Sequence, residues 1–130
     1  MTVARTSEFL LGTSIGTGVT IANNATSTGS EVDLLGNNTS EAGIVFVYLY
    51  YTGTVAAGTV DVSLFSAQVT GQEAEDQSPL IASVVPINGT QKILLGTMVA
   101  DRFVIGQVKN NAVTASLTNV SLGISLYAES

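Results

Sequence analysis

The sequence predicts an all-β protein, a jelly-roll-like antiparallel β-sandwich of about eight strands in a single domain. Three observations carry this. The 130 residues suffice for one compact domain and fall short of two. Apolar residues recur with period two, and no segment sustains the three-and-four spacing of a helix. The composition is led by Val, Thr, Ser, Gly, Leu and Ala; Val and Thr are β-branched and favour strands, and 13 glycines punctuate them. Short strands at this spacing fit a two-sheet jelly roll. An immunoglobulin-like sandwich is the alternative, but its Cys-Trp-Cys core cannot be built here.

Residues 1–16 read as an extended N-terminal arm, and 17–130 as the sandwich. Val3, Phe9, Leu10 and Leu11 give the arm an apolar surface that could add a strand to a neighbour's exposed edge. An ordinary first strand is the equal alternative. The stretch from Gly12 to Gly18 is glycine-rich but lacks the Lys-Ser/Thr ending of a phosphate-binding loop. Short strands are expected at Val19–Ala22 and Glu31–Leu35, parted by Asn-rich turn chemistry at Asn23-Asn24.

Ile44–Tyr51 is apolar on both faces, the pattern of a central strand with its second face covered as well. The cover is either a loop or another subunit. Tyr48, Tyr50 and Tyr51 therefore join the arm residues as candidate partner-binding side chains, because tyrosine couples a large ring to a polar tip. Thr59–Phe65 alternates Val60, Val62 and Leu64 with Asp61 and Ser63. An exposed acidic loop, with room for a helical turn, spans Val69–Ser78.

Ile81–Val85 and Gln91–Leu95 flank Asn88-Gly89, a hairpin signal. Arg102–Lys109 places Val104 and Val108 on one side, Phe103 and Ile105 on the other. The C-terminal strand alternates strictly: Val120, Leu122, Ile124 and Leu126 against Asn119, Ser121, Gly123 and Ser125. It reads as a strand with one buried face.

Charge and chemistry narrow the function classes. Only 11% of residues are charged, mean hydropathy is +0.42, and no apolar run approaches the length of a membrane-spanning helix. Four basic residues against ten acidic ones argue against direct nucleic-acid binding and against docking on an anionic membrane. With no Cys and no His, thiol nucleophiles, imidazole bases, zinc fingers and disulfides are excluded. No signal-peptide pattern is visible in the opening residues, which fits synthesis in a reducing cytoplasm.

Glu73, Glu75 and Asp76 could offer oxygen ligands to calcium, without the spacing of an EF-hand; a solvated loop is the plainer reading. Asp61 and Asp101 could be imagined as paired acids for glycoside hydrolysis, but Asp61 falls on a polar strand face and Asp101 in a turn. Asn-x-Ser/Thr matches such as Asn24-Ala25-Thr26 follow from an Asn- and Thr-rich composition. No active site, metal or cofactor is expected, and the chain reads as a non-enzyme.

The run Arg102-Phe103-Val104-Ile105-Gly106-Gln107-Val108-Lys109-Asn110-Asn111, followed by Leu117-Thr118-Asn119-Val120-Ser121, resembles a pattern in small structural proteins of tailed bacteriophages. Ser30-Glu31-Val32-Asp33-Leu34-Leu35-Gly36 is similar to their early strand. The resemblance covers about half the chain. It implies a jelly-roll capsid cement, or decoration, protein made in the host cytoplasm and placed on the outer surface of the virion. The implied partners are the major capsid protein and further copies of the chain, as a homotrimer or a dimer, with no catalytic residue. The alternative is a jelly-roll binding module of a head fibre or tail accessory protein that recognises a glycan or host surface.

Overall fold

The computed structural model describes residues 3–12, 18–34, 43–53, 58–75, 79–85, 89–100, 102–111 and 117–129. Ten strands occur among them: β1 (Val3–Leu11), β2 (Val19–Ile21), β3 (Thr26–Thr28), β4 (Val32–Asp33), β5 (Gly43–Gly53), β6 (Val60–Ala67), β7 (Leu80–Val84), β8 (Gly89–Ala100), β9 (Phe103–Asn110) and β10 (Leu117–Glu129). A 3-10 turn, Glu73–Glu75, lies between β6 and β7.

The pairing is nested, with the first half of the chain running antiparallel to the second. β1 and β2 pair β10, β3 and β4 pair β9, β5 pairs β8, and β6 pairs β7. Two closing contacts roll this long ribbon into a sandwich, β10 with β5 and β9 with β6. The sheets are therefore β1-β10-β5-β8, with β2 beside β10, and β3-β9-β6-β7, with β4 beside β9. Because β1 and β2 share one lane, and β3 and β4 another, ten strands fill eight lanes. This is the winding of a jelly roll.

One expectation is corrected and one choice between alternatives is decided. Asn88-Gly89 does not join a hairpin, because β7 and β8 lie in different sheets; Asn88 itself lies outside the described residues. Local turn chemistry cannot tell a hairpin from a link that crosses between sheets. Of the two readings of the opening segment, the ordinary first strand holds for Val3–Leu11, which pairs with β10 from Val3↔Glu129 to Leu11↔Leu122. Residues 1, 2 and 13–16 lie outside the described set. The Asn23-Asn24 turn is found, with Asn24 at φ 63° and its N–H donating to the Asn110 carbonyl at 2.7 Å.

Period-two alternation builds the core. On β6, Val60, Val62 and Leu64 point inward, and β9 contributes Val104 and Val108. Leu49, Leu122 and Ile124 face them from the first sheet. Glycine permits close approaches, two of them between the sheets. A Cβ on Gly106 would lie 2.5 Å from Leu122 Cδ2, and one on Gly29 would collide with the Leu10 carbonyl. Gly29 also donates its N–H to the Gly106 carbonyl at 2.9 Å, so it can retreat only by breaking that bond. Gly29→Ala is accordingly expected to destabilise the fold by about 2 kcal/mol or more, a drop of several degrees in Tm by thermal circular dichroism. An unchanged Tm would contradict this packing.

Candidate functional site

β5 turns alternate side chains to opposite sides of its sheet. Val45, Val47, Leu49 and Tyr51 enter the core, whereas Phe46, Tyr48 and Tyr50 face out and are half-buried. The expectation of a strand covered on both faces thus has a specific form. Tyr51, only 1% exposed, is a core residue. Leu10 and Leu11 are core residues too, at 2% and 5% exposed. These three candidate partner-binding side chains are removed from the surface of the folded chain. Phe9, Tyr48 and Tyr50 remain at the surface, and Val3 is placed only by its backbone pairing.

The three rings converge. Phe9 and Tyr48 both stand opposite Gly123, on either side of β10, and Tyr50 stands opposite Ser121. Neighbouring strands are about 4.8 Å apart, so β1 and β5, with β10 between them, are separated by about 9.6 Å. Yet the Phe9 and Tyr50 ring centroids lie only 6.0 Å apart, and Tyr48 and Tyr50 stack at 6.5 Å. The rings lean over β10, and the small Ser121 and Gly123 beneath leave room for them. This corrects the single-buried-face reading of β10: Ser121, Gly123 and Ser125 are buried as well.

From the next strand, exposed Lys92 stands opposite Tyr50 and sets its ammonium 4.9 Å from the Tyr48 centroid and 5.8 Å from that of Tyr50. Such contacts are worth about 0.5–1 kcal/mol at exposed sites. Leu94, 54% exposed and opposite Tyr48, extends the apolar surface. Phe46, Lys92 and Leu94 were not singled out from sequence. Alternation with Tyr48 and Tyr50 was a usable signal for Phe46; for Lys92 and Leu94 the register of β8 against β5 was needed.

Beside this face a cleft of about 300 Å³ opens along β1, β2 and β3, lined by Phe9, Gly12, Val19, Ser27, Thr28 and Val32 among others, none of its lining titratable. The other candidate groups are tied into the fold. Asp61 accepts hydrogen bonds from the Thr59 hydroxyl at 3.0 Å, the Ser83 hydroxyl at 2.6 Å and the Asn111 side-chain amide. Asp101, its imagined partner, lies outside the described residues. Arg102 grips Asp33 through two parallel bonds of 2.9 and 3.0 Å and lies over the Phe103 ring.

The acidic loop is exposed at Gln72, Ala74 and Glu75, but Glu73 turns inward and is 2% exposed, contrary to a fully solvated loop. It bonds to Glu31, which also accepts the Thr70 hydroxyl at 2.6 Å and the Gly71 N–H at 2.9 Å. Burial first, and then the bond to Glu31, push the Glu73 carboxyl up; the bond from Glu73 first, with those from Thr70 and Gly71, holds Glu31 down. The opposed shifts favour a neutral Glu73 beside an ionised Glu31, and Glu73 Oε1 is buried with no hydrogen-bond partner. Asp76 lies outside the described residues, and among those described no three His, Cys, Asp or Glu side chains gather as a metal site.

No family model and no curated protein matches the chain. Among solved structures, it is similar to a chain of the Bacillus endospore appendages, described as a novel family of disulfide-linked pili, with 14% identity, TM-score 0.40, and coverage of 98% of this chain and 90% of that one. It is also similar to FLHE, with 12% identity, TM-score 0.39, and coverage of 99% and 97%. Likenesses this distant carry no functional argument.

The acid pair predicts a pH optimum. A raised Glu73 contributes stability at low pH that is lost as pH climbs through its folded value. A lowered Glu31 contributes stability at higher pH that is lost as pH falls through its own. Stability from the pair therefore peaks between the two. Glu73→Gln keeps a hydrogen-bond donor and cannot ionise, so it should flatten the alkaline limb of a Tm-against-pH profile. A parallel profile for variant and wild type would contradict the raised Glu73 carboxyl.

Proposed function

We propose that this chain is a structural virion protein, a capsid cement or decoration protein. In this reading it binds the outer surface of the major capsid protein lattice and stabilises the DNA-filled head. The supporting observation is the outward row of Phe9, Tyr48 and Tyr50 with Lys92 above it. Rings already packed on one another lose little freedom when a partner covers them, and tyrosine-rich centres dominate binding energy at interfaces. Modest affinity per copy is enough on a lattice that offers many sites. A net charge of −6 disfavours the DNA-lined interior and is compatible with an outer position.

The same row of rings is a surface on which a sugar ring could stack, which supports the second reading, a glycan-recognising module of a head fibre or tail accessory protein. A glycan array separates the two, because a cement protein has no sugar preference.

Tyr50→Ala and Lys92→Ala are each expected to weaken binding to heads purified without the protein, Tyr50→Ala by about tenfold or more. Heads lacking the protein should also lose heat resistance. Full affinity in both variants, or equal heat resistance with and without the protein, would remove the cementing role.

A further inference from the structure

Among the described residues, Glu73 is the only side chain of an ionisable residue type that the fold buries, at 2% exposed. The 3-10 turn aims it inward, whereas Glu75 in the same turn is exposed. Its carboxyl faces that of Glu31, on the segment between β3 and β4. Yet Glu73 Oε1 has no hydrogen-bond partner. A buried carboxyl oxygen without a partner is costly, and buried acids are normally paired or bound to a metal. A proton between the two carboxyls eases their repulsion but leaves Oε1 bare.

The surroundings hold the second carboxylate in place and supply no cation. The Thr70 hydroxyl donates to Glu31 Oε1 at 2.6 Å and the Gly71 N–H to Glu31 Oε2 at 2.9 Å. Both donors belong to the loop that carries Glu73, closed by the Gln72 N–H on the Val69 carbonyl at 3.3 Å. Neither Glu31 nor Glu73 forms an ion pair among the described residues. Asp33 adds further negative potential at Glu31, and Arg102 is gripped by Asp33. The chain as a whole carries −6.

We propose that Glu73 and Glu31 form a calcium site that clips the turn after β6 to the segment before β4. Glu73 Oε1 and the Glu31 carboxylate are its protein charges, the Thr70 hydroxyl oxygen lies beside them, and water completes the shell on the exposed side. The ligand set decides the ion. With no Cys and no His in the chain, only oxygen is on offer, which selects a hard cation over zinc or copper. Two carboxylates from separate segments make an irregular shell, which calcium accepts and magnesium, with its strict octahedron, does not. Two protein charges also set a weak site, at the millimolar end of calcium affinities. The proposal does not depend on what the aromatic face binds.

Isothermal titration of the full chain with calcium chloride at neutral pH tests it. The wild type is expected to bind one calcium with a Kd of about 1 mM or tighter. Glu73→Gln is expected to weaken binding at least tenfold, and Glu75→Gln, on the exposed side of the same turn, to bind as the wild type does. No binding up to about 10 mM calcium overturns the proposal. So does an equal loss in Glu75→Gln, which marks loose attraction to an acidic loop. Should Glu73→Gln misfold by circular dichroism, Glu31→Gln takes its place with the same expected loss. A second measurement needs no variant: calcium is expected to raise the wild-type Tm more than magnesium at the same concentration. An equal rise with both ions, or none with calcium, overturns the site.

Discussion

Strand β10 is bonded along one edge to β1 and β2 and along the other to β5, and from Val120 to Ser125 both of its faces are covered. Its large residues, Val120, Leu122 and Ile124, fill the space between the sheets. Its small ones, Ser121, Gly123 and Ser125, lie beneath rings carried by the strands on either side. Unequal sizes on the two faces let one strand complete the core and support an outer aromatic layer together. Large residues on both faces would force Phe9 and Tyr50 apart; small residues on both would leave the core unfilled.

The outer layer gives the first sheet a row of ring-on-ring contacts. Rings in mutual contact over a packed strand have little freedom left to lose, and the nearby ammonium adds polarity to the layer. On the second sheet the polar groups are instead satisfied within the fold. Asp61 ties β6 to β7 and to the residue following β9, and Arg102 ties the start of β9 to β4. Both ties are exposed or half-exposed and contribute on the order of 1 kcal/mol or less each. They fix the ends of strands more than they stabilise the whole.

The pairing of Glu31 with Glu73 plays a similar part at the level of loops. It joins the segment between β3 and β4 to the turn after β6, two stretches 42 positions apart that no strand ladder connects. Burying a lone carboxylate there would be costly; a neutral acid that donates to a solvated carboxylate avoids most of that cost.

Period two and turn chemistry were enough to read the strand content, the inward faces of β6 and β9, the Asn23-Asn24 turn and the two-sheet architecture. These are local properties: each depends on a residue and its near neighbours along the chain. The same alternation already separates Tyr51 from Tyr48 and Tyr50. Tertiary structure alone decided which strand lies beside which. It sent β7 and β8 into different sheets despite Asn88-Gly89, laid β1 against β10, brought Phe9 to Tyr50 across a third strand, and turned Glu73 inward toward Glu31. The physical reason is that side-chain alternation is written in the backbone's own geometry, whereas register and neighbour choice come from contacts between segments far apart in the chain, which no local pattern encodes.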